Sequence, residues 1–361
     1  MLSIDAPELI RPEQSLDLVR LSEYLRTKME GLSGEIELAQ FLSGHSNLTY
    51  LVRFGNLEFV LKREPPGSKA KSAHDMGREY RILSNIHGRY PLGPKVFDYC
   101  EDESVIGGKF CTMERLRGVI IRRAYPEDGS VLPSQIRAQF ETLIDGLAAL
   151  HSLDVEVAGL QGFGRPEGYR KRQVDGWCRR LSDSKTEDIA DFNEITTWLH
   201  DRLPKSPDRA AIVHNDFKID NLVWEPSDIT KLIGVLDWEM ATVGDPLMDL
   251  ACTLSFWVEE NDPAELRALR GMPSARPEAP TRGQAIARYM EQTKLKVDSQ
   301  SFYLCFGFFR RAVIEQQKYF RYVNGHSRDT RFADLHRAVR VLRDMCLHVI
   351  REDTALNDVA G

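Results

Sequence analysis

Residues 211–224 read AIVHNDFKIDNLVW, and this stretch decides how the rest of the chain is interpreted. A polar segment, residues 214–221, lies between two short apolar runs whose composition is typical of buried strands. Polar side chains at this density cost free energy when they are buried without partners. We therefore expect them to bind one another or to form a functional site. Sixteen residues further on, a second apolar run, residues 233–236, ends in Asp237.

Three polar residues of this region carry hard oxygen donors. Asp216, Asn221 and Asp237 offer carboxylate and amide oxygens, which are ligands that Mg²⁺ prefers, usually as one or two carboxylates together with substrate phosphates. Each residue taken singly is typical of a turn or a helix cap. Their combination at this spacing favours a metal site.

The segment 1–118 has the pattern of a small antiparallel sheet with one inserted helix. We predict strands at residues 36–42, 48–54, 58–63, 95–100 and 110–116, and helices at 14–31 and 73–87. Gly55 and Asn56 have the composition of a two-residue hairpin turn between the second and third strands.

Helical periodicity dominates the segment 119–361. We predict helices at residues 133–150, 168–183, 187–203, 246–260, 281–293, 299–323 and 328–352, with short strands between 212 and 236. A sheet followed by helices predicts an α+β protein of two lobes, residues 1–118 and 119–361. The proline-rich segment 261–283 is expected to be a surface connection, and the alternative is a lid over an acceptor site.

Composition excludes several classes of protein. The 361 residues include 48 Lys and Arg against 54 Asp and Glu, a net charge of −6 that gives no general attraction to nucleic acid or to an anionic membrane. Six dispersed cysteines without a C-x-x-C pair predict buried, reduced thiols. The acidic first twenty residues do not resemble a signal peptide, and no run of about 18 apolar residues occurs. We therefore expect a cytoplasmic protein.

The residues of the polar segment have the spacing of a known catalytic motif. His214, Asp216 and Asn221 match the H-x-D-x-x-x-x-N pattern of the kinase catalytic loop, and Asp237 is followed by Trp-Glu where protein kinases have D-F-G. With the motifs GDP at 244–246 and DLA at 249–251, the chain resembles the aminoglycoside phosphotransferase and choline kinase-like superfamily. It resembles most the branch that is associated with acyl-CoA dehydrogenases.

The resemblance covers residues 36–260 by motif and implies a bilobal protein kinase-like fold. The first lobe would be a small antiparallel β-sheet with one helix, and the second a larger, mainly helical lobe. By the same resemblance, Asp216 is the catalytic base, and Asn221 and Asp237 hold the Mg²⁺ that accompanies ATP. Lys218 would neutralise charge on the transferring group, and the alternative is a solvated surface lysine. His214 is expected to support the loop.

The resemblance also implies a nucleotide site in the first lobe. Lys62 shares a strand face with Val60 and is expected to contact the α- and β-phosphates, with Glu79 of the next helix as its partner. The hinge against adenine would comprise Met113, Glu114 and Leu116. The phosphate-capping loop would comprise Ser43, His45, Ser46 and Asn47. Taken without the resemblance, the hinge is equally an edge strand, the loop a hairpin turn, and Lys62 and Glu79 surface charges.

Several other residues receive structural interpretations. Asp245, before Pro246, is expected to cap a helix, and Asp249 lies in its first turn, so that both are scaffold able to brace the catalytic loop. The aromatic run at 302–320 has the spacing of a core helix. Arg310 and Arg311 on that helix are expected to be solvated, the alternative being contact with an anionic substrate.

The sequence thus predicts an ATP- and Mg²⁺-dependent O-phosphotransferase whose acceptor is a small molecule with a hydroxyl group. The resemblance implies a hydroxyacyl-CoA as acceptor and a separate acyl-CoA dehydrogenase as partner, and the alternative acceptors are aminoglycosides or choline-like compounds. A nucleotide-binding pseudokinase regulator is the rival from another class. The complete set of Lys62, Glu79, Asp216, Asn221 and Asp237 argues against it, because a protein without catalysis has no need of all five.

Overall fold

The chain divides into two compact units. A computed structural model describes residues 4–11, 14–41, 47–64, 75–122, 124–205, 209–269, 271–297 and 299–360, with side chains to residue 354. Unit 1 comprises Met1–Ile121, Glu156–Leu160 and Asn221–Ala241, and unit 2 comprises Arg122–Val155, Gln161–Asp220 and Thr242–Gly361. The sequence predicts a single boundary near residue 118, whereas the structure adds two later segments to unit 1.

Unit 1 is built on a five-stranded antiparallel sheet with the strand order β1-β2-β3-β5-β4. The strands are β1 (Ile36–Phe41), β2 (Leu48–Phe54), β3 (Leu57–Arg63), β4 (Val96–Cys100) and β5 (Phe110–Met113). Phe54 pairs with Leu57 across Gly55 and Asn56, so the predicted two-residue turn is confirmed. Gly55 has a φ of 56°, a left-handed conformation that favours glycine.

Two helices accompany this sheet, α1 (Leu18–Lys28) and α2 (Met76–Ile86). Both are shorter than the sequence predicts, because Asp17 and Asp75 cap their first turns by accepting backbone N–H groups of Arg20 and Arg78. The buried core of the unit comprises α1 leucines and the inner side chains of the sheet, among them Leu21, Leu25, Tyr50, Phe54, Phe59, Leu61 and Phe110.

A second antiparallel pair in unit 1 carries two of the predicted site residues. Strand β7 (Leu222–Glu225) pairs with β8 (Asp228–Val235), with Leu222 opposite Val235. Asn221 immediately precedes β7, and Asp237 follows the end of β8. The Leu236 N–H donates to the Asn221 carbonyl over 2.8 Å. Asn221 and Asp237 therefore lie at the same end of this hairpin.

Unit 2 is mainly helical, with one short antiparallel strand pair, β6 (Ala211–Val213) and β9 (Thr242–Gly244). Its helices are α3 (Pro133–His151), α4 (Tyr169–Asp183), α5 (Asn193–Asp201), α6 (Pro246–Phe256), α7 (Ala264–Ala268), α8 (Arg282–Thr293), α9 (Gln300–Val323) and α10 (Leu335–Ala360). The start of α10 lies seven residues after the predicted start, because a short turn capped by Asp329 occupies Thr330–Phe332. The α+β fold class is confirmed.

Two expectations about unit 2 are wrong. Segment 261–283 is not a plain surface connection, because it contains α7 and buries Leu266 and Met272. Arg310 and Arg311 are only 5% exposed each, because backbone carbonyls accept hydrogen bonds from both guanidinium groups. The aromatic residues Phe302, Phe306 and Phe309 of the same helix are buried, as predicted.

The remaining expectations from composition concern thiols and membranes. All six cysteines are free thiols, five of them buried and Cys178 half-buried. Within the described ranges, none of the helices has both the length and the apolar character that crossing a bilayer requires.

Candidate active site

A buried lysine organises the site residues of unit 1. Lys62 Nζ lies 2.8 Å from both carboxylate oxygens of Glu79 and 3.3 Å from Asp237 Oδ1. Strand β3 turns Lys62 inward, and the first turn of α2 presents Glu79, which is 1% exposed. Desolvation lowers the pKa of Lys62, but Glu79 and Asp237 outweigh it and hold that pKa above its ordinary value. Lys62 is therefore a fixed, oriented cation.

The backbone at Asp237 is as specialised as its side chain. Asp237 has a φ of 68° and a ψ of 62°, a left-handed conformation that Asp and Asn tolerate better than most residues. The following residue, Trp238, is fully buried, and its indole N–H donates to the Val235 carbonyl over 2.8 Å. Its backbone N–H donates to Glu79 Oε1 over 3.3 Å. These contacts hold the turn while the Asp237 side chain stays 35% exposed.

The donors at the end of the β7–β8 hairpin fit a metal ion that also binds phosphate. Asn221 and Asp237 supply an amide oxygen and a carboxylate, both hard ligands. The part of the chain that the structure describes contains no group of three or more His, Cys, Asp or Glu able to hold a metal ion. A metal bound here would need phosphate or water oxygens to complete its coordination, which is how Mg²⁺ is usually bound beside nucleotides.

Of the predicted phosphate-capping loop, only Asn47 lies among the described residues; Ser43, His45 and Ser46 lie outside them. Asn47 is 8% exposed, and its Nδ2 donates to Glu239 Oε2 over 2.6 Å. Its buried Oδ1 has no hydrogen-bond partner within the described residues. Asn47 is therefore hydrogen-bonded to Glu239, which lies two residues after Asp237 in the sequence.

The predicted hinge residues begin at Met113, the last residue of β5, and continue beyond the strand. Met113 is 4% exposed and pairs with Val60 of β3. The Glu114 backbone N–H donates to the Lys95 carbonyl over 2.7 Å. Leu116 packs directly on Gly234 of β8, where a Cβ atom would lie 2.1 Å from Leu116 Cδ1. A side chain at 234 would therefore require Leu116 to move from its place against the strand that leads to Asp237.

In unit 2, one buried carboxylate holds the backbone of the polar loop after β6. Asp249, in the first turn of α6, accepts the His214 N–H over 2.6 Å and the Asn215 N–H over 2.8 Å. Thr253, one turn further along α6, donates its hydroxyl to the Phe217 carbonyl over 2.8 Å. Desolvation raises the pKa of Asp249, but hydrogen bonds and nearby His151 and His214 lower it overall. The predicted bracing by Asp249 is confirmed, and Asp245 caps α6 as predicted.

Asp216 lies in this loop with a cation beside it. Lys218 Nζ is 3.1 Å from Asp216 Oδ2, and both side chains are about one-fifth exposed. Lys218 also lies over the ring of Phe256, 5.2 Å from its centroid. Burial raises the pKa of Asp216, but Lys218 and Arg310 lower it below its ordinary value. Asp216 is therefore an ionised carboxylate across the neutral pH range, and His214 Nδ1 accepts its backbone N–H over 3.3 Å.

Sequence reasoning missed three residues that support this loop, Arg310 by direct contact and His151 and Tyr289 through Asp249. His151 Nε2 lies 3.1 Å from Asp249 Oδ2, and its Nδ1 lies 2.7 Å from the Tyr289 hydroxyl. Arg310 Nη2 donates to the Asn215 carbonyl over 2.9 Å. These partners are separated by 95 to 138 residues along the chain, so no local pattern could indicate the contacts.

The fold and these two sets of residues define a kinase-like phosphotransferase. One set has a buried lysine–glutamate pair with a carboxylate at a strand end, and the other has an ionised aspartate in a braced loop. A sequence profile of the phosphotransferase enzyme family matches residues 37–285, and the chain belongs to that family. It is accordingly a phosphotransferase that acts on a hydroxyl group.

The particular relatives agree with the resemblance that the motifs indicate. The chain is 32% identical over 332 residues to acyl-CoA dehydrogenase family member 11 of Rattus norvegicus and 34% identical over 331 residues to that of Gallus gallus. Each alignment covers 88% of this chain but 41% of the relative, so the chain spans about two-fifths of these proteins' length.

Solved structures confirm the kinase-like fold. A Ralstonia eutropha protein named as an aminoglycoside phosphotransferase is 28% identical, with a TM-score of 0.80 that covers 94% of this chain and 99% of that one. Aminoglycoside phosphotransferase APH(4)-Ia, in a complex with AMP-PNP and hygromycin B, is 15% identical with a TM-score of 0.59, covering 92% and 97% of the two chains. This second likeness concerns the fold alone.

Proposed function

We propose that the chain is an ATP- and Mg²⁺-dependent O-phosphotransferase that transfers the γ-phosphate to a hydroxyl group of a small molecule. The observation that carries the proposal is the cluster of Lys62 and Glu79, both buried, with the partly exposed Asp237. Burying the first two charges costs several kcal/mol per ion before their mutual attraction offsets it, so such a cluster is weak support for stability alone. It is well suited to presenting an oriented ammonium group to phosphate oxygens.

The residues of unit 1 supply the nucleotide-binding part of the proposal. Lys62 contacts the α- and β-phosphates and Glu79 fixes its orientation. Asn221 and Asp237 hold Mg²⁺, which when bound neutralises charge on the phosphates. Adenine lies against the backbone of the hinge, formed by Met113, Glu114 and Leu116. The phosphates are capped by the loop that includes Ser43, His45, Ser46 and Asn47.

The residues of unit 2 supply the acceptor chemistry. Asp216 accepts a hydrogen bond from the acceptor hydroxyl and orients its oxygen. It takes the hydroxyl proton as the new O–P bond forms and the bond from the γ-phosphorus to the β–γ bridging oxygen breaks, which releases ADP. Lys218, paired with Asp216 in the structure, places a cation beside the transferring group. Asp249 holds the loop backbone so that the Asp216 side chain has one position.

The identity of the acceptor rests on the relatives. The acyl-CoA dehydrogenase family members supply the argument for a hydroxyacyl-CoA acceptor and for an acyl-CoA dehydrogenase as a functional partner. The free thiols support a reducing compartment, the cytoplasm.

An ADP-release assay with a panel of hydroxyl compounds tests this function. We expect release to require both an acceptor and Mg²⁺. Asp237→Asn, whose asparagine tolerates the left-handed backbone, should raise the Mg²⁺ concentration for half-maximal rate by about tenfold or more. Asp228→Asn, at the exposed opposite end of the same hairpin strand, is the matched control and should change nothing. An unchanged metal requirement in Asp237→Asn would remove that residue from the metal site, and ADP release by no acceptor would overturn the function.

A further inference from the structure

Two exposed arginines and one buried arginine gather around Trp177 in unit 2. The guanidinium carbons of Arg180 and Arg310 lie 4.6 and 5.1 Å from the Trp177 ring centroid. Arg179 joins them over Gly176. A Cβ atom at residue 176 would lie 3.1 Å from Arg180 Nη1 and 3.9 Å from Arg179 Nη2, so the two side-chain ends converge on this point.

Ion pairs do not offset this positive charge among the described residues, although Arg310 is near enough to Asp216 to lower the pKa of that carboxyl. Within the described residues, neither Arg179, Arg180 nor Arg310 forms an ion pair with Asp or Glu. Desolvation, followed by repulsion from Arg310 and Arg179, lowers the pKa of Arg180. Arg180 and Arg310 stack on Trp177 through the faces of their guanidinium groups. Within the described part of the chain, Arg310 donates to the Asn215 carbonyl, and the N–H groups of the exposed Arg180 remain available to a ligand. Planar forks of this kind bind carboxylate and phosphate oxygens in pairs.

The arginine group extends from Asp216 to the surface. Arg310, 5% exposed, donates to the carbonyl of Asn215, the residue before Asp216, and its charge lowers the pKa of Asp216. Arg179 and Arg180 are exposed on α4. If the hydroxyl group of an acceptor lies at Asp216, the part of that acceptor remote from the hydroxyl would therefore contact the guanidinium groups.

We propose that the acceptor carries an anionic group, a carboxylate or a phosphate, and that Arg179 and Arg180 bind it, with Arg310 at the inner end of the same subsite. This inference rests on the proposed function, because it assigns the hydroxyl of the acceptor to Asp216. It excludes a cationic acceptor such as an aminoglycoside or choline, since Arg179 and Arg180, which form no ion pair among the described residues, would repel it.

Calorimetric binding to the full chain tests the subsite. The protein is first saturated with AMP-PNP and Mg²⁺, so that added anions cannot bind in place of the nucleotide phosphates. The probes are hydroxybutyrate, coenzyme A and hydroxybutyryl-CoA, which separate a carboxylate from a phosphate as the recognised group. The neutral methyl ester of hydroxybutyrate and kanamycin are the uncharged and cationic comparisons.

The variants are Arg179→Gln/Arg180→Gln and, as matched control, Lys171→Gln. Lys171 is an exposed cation of the same helix that pairs with Asp175, and it lies nine residues, about two and a half turns, from Arg180 and so on the opposite side. We expect at least one anionic probe to bind to the wild type. The double variant should raise the Kd of that probe by about tenfold or more, and Lys171→Gln should leave this Kd unchanged.

Several results would overturn the inference: equal binding of the neutral ester or kanamycin, no binding of any anion, or an unchanged Kd in the double variant. A weakened Kd for AMP-PNP in the double variant would also overturn it, because the arginines would then serve the nucleotide. Failure of the wild type to bind AMP-PNP with Mg²⁺ would instead count against the proposed function, so the two failures are distinguishable.

Discussion

The lysine cluster of unit 1 and the polar loop of unit 2 hold their charged groups in opposite ways. Lys62 is positioned by the side-chain charges of Glu79 and Asp237. Asp216 is positioned through its backbone, because Asp249 accepts the N–H groups of the two preceding residues. A charge-neutralising substitution in the lysine cluster should therefore change its electrostatics and its affinity for nucleotide. Loss of the Asp249 anchor in the polar loop should instead change the position of Asp216 and lower kcat.

The two regions also share a backbone feature. Asp237 and Asn215 both have left-handed backbones, with φ values of 68° and 65°. Asp and Asn are the non-glycine residues that tolerate this conformation best, and such positions are concentrated at functional sites. The sharp turn at each one lets the chain leave a strand and present a side chain immediately afterwards.

The largest effect is expected from Lys62→Met, which leaves the Glu79 carboxylate buried without its cation. Breaking a buried ion pair in this way costs about 3–5 kcal/mol. The loss should appear as faster hydrogen exchange of the amides of β3 and α2, together with a loss of MgATP affinity.

A second substitution sharpens this prediction. Lys62→Met/Glu79→Gln removes both charges but keeps an oxygen that can accept the Trp238 N–H. Hydrogen exchange should return toward that of the wild type, while MgATP affinity stays low. Recovery of MgATP affinity along with stability would show that the pair is structural only.

A smaller effect is expected from Asp249→Asn, which replaces one of two accepting oxygens with an NH₂ group. The new NH₂ group would then face a backbone N–H group of the loop, donor against donor, at a cost of about 1–3 kcal/mol. A displaced loop should lower kcat by about tenfold to a hundredfold and leave the KM for ATP unchanged. Steady-state kinetics measures the split, with Asp201→Asn, exposed at the end of α5, as control. A raised KM for ATP with normal kcat would contradict the backbone-anchoring account.

The smallest effect is a shift in pH dependence. The pKa of Asp216 is lowered in the folded protein. Its carboxylate is ionised above that pKa, and activity that depends on the ionised form is lost as the pH falls through it. Lys218→Gln removes the cation that contributes most to this lowering, so the acid limb of the kcat/KM profile should move to higher pH. The exposed Lys231→Gln should leave the limb in place. An unmoved limb in Lys218→Gln would show that Lys218 does not set the ionisation of Asp216.

The sequence predicts elements whose signals are local. The β2–β3 hairpin follows from alternation and its Gly-Asn turn, and α6 follows from its Asp245-Pro246 start. In both cases, neighbouring residues carry the information. The pairing of Lys62 with Glu79 is predicted from the family resemblance, because without it each residue has the pattern of a surface charge.

The sequence does not predict features that depend on distant contacts. Arginine is usually a surface residue, and the burial of Arg310 depends on two distant partners, the Asn215 carbonyl 95 residues away and the ring of Trp177. The link from Tyr289 through His151 to Asp249 spans three helices. Segment 261–283 has a polar, proline-rich composition that does not indicate its buried apolar residues, among them Leu266 and Met272.

The most direct test of the account is the transfer of labelled γ-phosphate from ATP to the best acceptor of the panel by Asp216→Asn, measured beside its affinity for MgATP. Asp220→Asn, a carboxylate of the same loop that is 40% exposed, is the matched control. The account predicts that Asp216→Asn lowers kcat by about 10²–10⁴-fold, with MgATP binding unchanged and Asp220→Asn close to the wild type. Turnover retained by Asp216→Asn would contradict the central claim that this carboxylate is the catalytic base.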